Sequence, residues 1–191
     1  MEAEGNPDWP SIAVYFYRDE WIMGDIYYQQ ALFEEIYKHQ YNPIIFYGQY
    51  GSNPRVGIPN MKLSMNHLFG KDVFPFDVLI NTCKFSYQSL GAQTLEELML
   101  QDVPIIQGYT IYMDEKTWAA DPQGVTPLDV NLSISQPELD GVIQGGVVAC
   151  QTFDERGHYV YLPVKERIAA IVERAIKWSK LRHIPVSERK V

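Results

Sequence analysis

Two carboxylates, Glu138 and Asp140, stand in the run Pro137-Glu-Leu-Asp-Gly141, which closes the stretch that begins at Trp118. Pro137 fixes its own φ and Asp-Gly is a turn dipeptide, so the run reads as a rigid, acidic, exposed corner after a short helix or extended piece. Carboxylates placed there could act as hard oxygen ligands for Mg²⁺, transiently for Co²⁺, or as a base for N–H protons. The same residues also suit a solvated turn. A second set follows an apolar run that ends at Asn81: Asn81, Thr82, Ser86, Tyr87, Gln88 and Ser89 could form a hydrogen-bonding rim for a polycarboxylate, with Lys84 as its counter-charge. A polar strand-end loop is the plainer reading. A third set is Arg18, whose guanidinium could bind a carboxylate bidentately, and Trp21, whose ring could lie flat on a planar ligand. A surface arginine beside a packed tryptophan explains the same residues.

Much chemistry is left without its signature. There is no GxxxxGK[ST] run for ATP, no GxGxxG after a strand for a dinucleotide, and no GxSxG nucleophile elbow. His39, His67, His158 and His183 are scattered without zinc spacing, so spacing assigns no metal ligands. Cys83 and Cys150 read as reduced, buried thiols. The net charge of −8 disfavours a general nucleic-acid binder. No apolar run approaches the ~20 residues of a membrane helix, and the polar N-terminus does not read as a signal peptide. These features fit a cytoplasmic protein.

The elements that must position the candidates alternate between strand and helix. Ser11–Tyr17 reads as a buried strand, Arg18–Asp25 as a loop, and 26–39 as a helix with Asp25 as its N-cap and Tyr28, Leu32 and Ile36 on one face. Pro43–Tyr47 reads as a second strand, which makes a parallel βαβ opening. Residues 48–59 read as a loop, 62–69 as a short helix, Phe76–Asn81 as a strand, Leu95–Gln101 as a helix and Val103–Gln107 as a strand. A helical turn at 117–120 precedes two shorter strands, 147–151 and 159–162, around a hairpin turn at 154–158. Val164, Ile168, Ile171, Ala175 and Trp178 trace one face of a long helix over about 163–181. The pattern predicts an α/β fold, a mostly parallel sheet flanked by helices in a Rossmann-like or flavodoxin-like layering, with ligands gathering at the carboxyl ends of its strands. The expected organisation is a lead-in over 1–10, one domain over 11–182, and a basic tail over 183–191 that leads into a missing part of a longer chain.

The ordered set of Ile12-Ala-Val-Tyr-Phe-Tyr-Arg18, Gly24-Asp25, Asp77-Val-Leu-Ile-Asn81-Thr82, Asp102-Val-Pro104, Trp118, Gly124, Pro127, Pro137-Glu-Leu-Asp-Gly141 and Arg174-Ala-Ile-Lys-Trp178 resembles a known family. It is similar to the large, tetrapyrrole-binding subunit of the ATP-dependent metal chelatases, the cobaltochelatases and magnesium chelatases. The resemblance implies a domain that handles a tetrapyrrole and the metal to be inserted, Co²⁺ rather than Mg²⁺ because the Tyr15-Phe-Tyr-Arg18 opening is nearer the corrin enzymes. It also implies two partners, an AAA+ ATPase subunit that binds the ATP and a second accessory subunit. Glu138 and Asp140 would then be the catalytic acids, and Arg18, Trp21, Asn81, Thr82 and Lys84 would contact the tetrapyrrole. The alternative is a non-catalytic binding or scaffolding module that contacts partner subunits.

Overall fold

The computed structural model describes residues 5–49, 53–58, 60–70, 74–86 and 102–189. Its frame is a six-stranded sheet in the order β2-β1-β3-β4-β5-β6: β1 (Ser11–Tyr17), β2 (Asn42–Gly48), β3 (Val78–Asn81), β4 (Ile105–Ile111), β5 (Ile143–Phe153) and β6 (Tyr159–Pro163). The first five strands are parallel and β6 returns antiparallel on β5. The 2-1-3-4-5 part of this order is that of flavodoxin-like folds, and it reverses direction between β1 and β3. The parallel βαβ opening and the strand–helix alternation are therefore as the sequence indicates. β1 and β3 are buried on both faces, which explains their unbroken apolar runs.

One face of the sheet is covered by α2 (Tyr27–Lys38) and α7 (Lys165–Arg182). Tyr28, Leu32 and Ile36 of α2 meet Ile168, Ile171, Val172 and Ala175 of α7 over Ile12, Val14, Ile80 and Ile106. Both helices are one turn or less from the spans their periodicity predicts. On the other face, Met61 and Met65 of α3 (Met61–Phe69) pack with Ala13, Phe46, Leu79 and Ile105. The C-terminus of α7 is locked to the start of β3: Ser179 Oγ donates to Asp77 Oδ2 at 2.7 Å, and Arg182 donates to the Phe76 and Asp77 carbonyls at 3.1 Å.

Several local expectations change. Arg18–Met23 is not a loop but a short helix, α1, with two acids in its first turn and Gly24 at φ 73° closing it. Acids at a helix start and a left-handed glycine at its end are the usual helix boundaries, packed here into six residues. Asp25 is not a side-chain cap: Ile26 occupies the N-cap of α2, and the Asp25 carboxylate instead accepts from the Tyr161 amide. β4 and β5 run longer than predicted because parallel pairing with each other carries them past the local β-prone cores. The segment before β5 is largely helical: α4 (Glu115–Ala120), a turn over 121–126, and then a continuous helical run of α5 (Pro127–Asp129), a π-helical stretch Val130–Ser135, and α6 (Gln136–Leu139). The helix expected at Leu95–Gln101 lies outside the described residues, as do Tyr87, Gln88 and Ser89 of the expected rim and part of the loop at 48–59.

The close approach of β5 to β4 requires Gly145. A Cβ there would stand 2.5 Å from the Gln107 carbonyl oxygen and 3.0 Å from an Ile106 methyl. Gly145→Ala is expected to destabilise the fold by about 2 kcal/mol or more, read as a lowered urea midpoint with an unchanged m-value.

Candidate functional site

The topological switch point between β1 and β3 opens a cleft of about 370 Å³ at the carboxyl end of the sheet. Open α/β sheets gather ligands here because two neighbouring crossovers leave in opposite directions. α1 supplies Asp19, Glu20 and Met23. The segment after β3 supplies Thr82, Cys83 and Lys84. The β5–β6 hairpin leans over from the far side with Gln151, Tyr159 and Tyr161, and Tyr112 follows β4.

Glu20 is the chemical centre of this cleft. Burial pushes its carboxyl up from the usual range to about 7; the neighbouring Asp25 adds to the rise, while hydrogen bonds from Tyr28 and Gln29 and the charge of Lys84 oppose it. Tyr28 Oη lies 2.6 Å from Glu20 Oε2 and 3.0 Å from Thr82 Oγ1, and Thr82 Oγ1 donates to the Tyr15 carbonyl at 3.0 Å. The Thr82 proton is thus spent on Tyr15. With Glu20 ionised, the Tyr28 proton is spent on Glu20 and the Tyr28–Thr82 contact holds no proton. With Glu20 protonated, the acid donates to Tyr28, Tyr28 donates to Thr82, and every contact in this relay is satisfied. Burial outweighs the hydrogen bonds that favour the charged form, and the relay accommodates the neutral acid, so Glu20 can take and give a proton near neutrality.

Lys84 is 8% exposed. Its ammonium lies 3.6 Å from Asp129 Oδ1 and 3.3 Å from the Tyr112 ring centroid, a buried ion pair capped by a cation–π contact. Asp129 is held in turn by Thr126, which caps α5, accepts from the Asp129 amide and donates to Asp129 Oδ2 at 2.7 Å. Asp25, in the α1–α2 junction, ties the hairpin over the cleft through both carboxylate oxygens, at 3.0 and 3.1 Å from the Tyr161 nitrogen. Asp25→Ala removes that tie. Hydrogen exchange at the Tyr161 amide is expected to speed up at least tenfold, with a stability loss of about 1–2 kcal/mol.

The residues singled out from sequence fall in several places. Thr82 and Lys84 line the cleft. Asn81 lies just beneath, 1% exposed, with its amide donating to Gln107 Oε1 at 2.6 Å and to the Cys83 carbonyl at 3.1 Å. Trp21 projects from α1 into a separate groove on the α2 flank, and Arg18 pairs with Asp19 at 3.2 Å. Glu138 and Asp140 precede β5 and so sit at the amino end of the parallel strands. There the corner is only partly exposed: Glu138 faces solvent, whereas Asp140 is buried and accepts from Ser86 Oγ at 2.8 Å. Proline and glycine signal a turn correctly; the helical path before it, which folds Asp140 under Ser86, has no local signature.

Sequence reasoning misses Glu20. An acid in what reads as a surface loop gives no sign of burial; the short-helix boundaries around it are the available signal. Among the described residues, no cluster of three or more His, Cys, Asp and Glu converges to hold a metal, and no helix is long and apolar enough to cross a membrane. Cys83 and Cys150 are buried free thiols, and burial holds Cys83 well above the usual thiol range.

Comparison with known proteins places this arrangement. A family model described as CobN/Magnesium Chelatase matches residues 2–191. The aerobic cobaltochelatase subunit CobN of Pseudomonas aeruginosa is 28% identical over 120 residues, which are 60% of this chain and 10% of that protein. A magnesium-chelatase subunit of Rhodobacter capsulatus is 28% identical over 112 residues, 51% of this chain and 9% of that protein. The solved catalytic subunit of cobaltochelatase from Mycobacterium tuberculosis superposes with a TM-score of 0.76 at 25% identity, over 95% of this chain and 15% of that one. The chain thus spans between about a tenth and a seventh of these relatives' lengths. With its fold and nearly its whole length accounted for by that match, the chain belongs to the CobN/magnesium chelatase family.

Proposed function

We propose that this chain is a cytoplasmic, tetrapyrrole-handling domain of an ATP-dependent metal chelatase. The metal, Co²⁺ in preference to Mg²⁺, and the tetrapyrrole are its substrates. An AAA+ ATPase subunit binds the ATP, and a second accessory subunit completes the assembly. The observation that carries this reading is the family match over residues 2–191. The switch-point cleft supports it chemically. Metal insertion displaces two pyrrole N–H protons, and a carboxyl whose pKa is about 7 is suited to exchange protons at neutral pH. A buried lysine framed by tyrosines is suited to a carboxylate side chain of the ring.

Glu20 is therefore the proton-exchanging group of this reading. Glu138 and Asp140 stand at the other end of β5, where exposed Glu138 suits a contact with the rest of a larger assembly and buried Asp140 holds Ser86. Titrating the full chain with a free-base corrin-type ring and, separately, a free-base porphyrin tests the reading through tryptophan fluorescence. Saturable micromolar quenching is expected with both, tighter for the corrin-type ring, and Lys84→Ala is expected to weaken it about fivefold or more. A second reading, a scaffolding module without ligand, draws on the exposed apolar side chains Ile22, Met23, Phe153 and Tyr159 around the hairpin tip. Absence of quenching by either ring would favour it.

A further inference from the structure

On the opposite flank of α1 from the cleft, α1, α2 and β2 enclose an apolar groove of about 850 Å³. That volume lies within the range of small-molecule sites. Its walls are aromatic. Trp21 and Tyr47 lie nearly parallel, 15° between planes with centroids 5.9 Å apart, and Phe33 and Tyr37 are parallel within 5° at 6.3 Å. Trp21 and Tyr47 are 53% and 38% exposed, so their ring faces remain available.

One polar group interrupts this wall. Gln29 lines the groove and is 3% exposed. Its Nε2 donates to Glu20 Oε2 at 2.5 Å, while its Oε1 has no hydrogen-bond partner among the described residues. A buried amide oxygen left without a donor is costly, and native structures rarely leave one without a reason. The missing complement is a flat, largely apolar molecule that carries an N–H.

We propose that this groove holds the tetrapyrrole against its aromatic wall and that Gln29 Oε1 accepts a hydrogen bond from an inner N–H whose pyrrole tilts out of the ring plane. The inference rests on the chelatase reading and states where on this chain the ring lies. A docked helix fits the groove less well, because its backbone N–H groups are spent internally. The arrangement also distinguishes substrate from product. The free-base ring has inner N–H donors; the metallated ring has none and leaves Gln29 unpaired again. Through its Nε2, Gln29 connects the groove to Glu20, so the ring and the proton-exchanging carboxyl share one hydrogen-bonded bridge.

The test uses the full chain, a water-soluble free-base porphyrin and its planar copper(II) complex, with binding read from porphyrin absorbance. The free base is expected to bind about fivefold more tightly than the copper complex, the effect of one hydrogen bond to a buried acceptor. Gln29→Met should bring the two affinities together. Phe33→Glu should weaken both at least tenfold while the circular dichroism and melting temperature stay at wild-type values. Trp21→Phe should remove most of the fluorescence quenching while binding persists by absorbance. Equal wild-type affinities for the two rings, or binding that Gln29→Met and Phe33→Glu leave unchanged, would overturn the placement and leave the chelatase reading standing. If neither ring binds, the chelatase reading fails and the placement fails with it.

Discussion

Glu20→Gln is expected to remove a pH-dependent weakness of the fold. The carboxyl is raised from 4.5 to about 7 in the native state, chiefly by burial. The folded protein therefore holds this proton over a pH range in which the unfolded chain has released it. Stability from this group is fully present below about pH 4.5, falls as pH rises, and is gone above about pH 7. The shift corresponds to about 3 kcal/mol. Glutamine cannot ionise and keeps an amide that Tyr28 and Gln29 can pair with. Urea unfolding from pH 4.5 to 8 should show the wild type losing about 3 kcal/mol relative to Glu20→Gln, progressively between about pH 4.5 and 7. Parallel profiles for the two proteins would mean that Glu20 titrates as an ordinary surface acid and that the cleft has no carboxyl poised at neutrality.

A second large effect is expected at Asn81→Ala. Asn81 is part of a closed, buried amide network. Its Nδ2 donates to Gln107 Oε1 and to the Cys83 carbonyl, its Oδ1 accepts from the Cys83 amide at 3.1 Å, and Gln107 Nε2 donates to the Cys83 carbonyl at 2.8 Å. Gln107 is fully buried. Alanine at 81 leaves the Gln107 oxygen and the Cys83 amide without these partners and opens a cavity at the end of β3. A loss of about 3–4 kcal/mol is expected by denaturant unfolding, with faster hydrogen exchange at Cys83 and Lys84. The double variant Asn81→Ala, Gln107→Leu should recover part of this, because the apolar leucine removes the stranded amide. A loss below about 1 kcal/mol would show that the network does not hold the strand end that presents Thr82 and Lys84.

The same residue shows what the sequence conveys and what it does not. Asn81 at the end of an apolar run marks a strand terminus correctly, since a polar residue closes a buried strand where the backbone leaves the sheet. Its partner Gln107 lies on a neighbouring strand, and nothing local couples the two. The helical periodicities of α2 and α7 are legible because each helix buries one face against the sheet. The strand alternation is legible for the same reason. α1 reads as a loop because six residues hold too few turns for a period to show. Asp25 looks like a cap because capping residues are recognised by position alone, whereas its carboxylate is taken by Tyr161, 136 residues away. Glu20 acquires its chemistry from burial in the cleft and from Tyr28 and Gln29, all of them contributions from outside its own helix. The resemblance carried by the ordered tryptophan, glycine, proline and acidic residues indicates the family, but residues that define a family need not be those that line its cleft.

The most direct test of the central claim, that this chain handles a tetrapyrrole on the face built around α1, is chemical-shift mapping of the ¹⁵N-labelled full chain titrated with a free-base ring. Saturable shifts at the Trp21 indole N–H and the Gln29 side-chain amide, with smaller ones at Thr82 and Lys84, are the predicted result. A spectrum that does not change with added ring, or changes confined to the Glu138–Gly141 corner and the α7 surface, would contradict it.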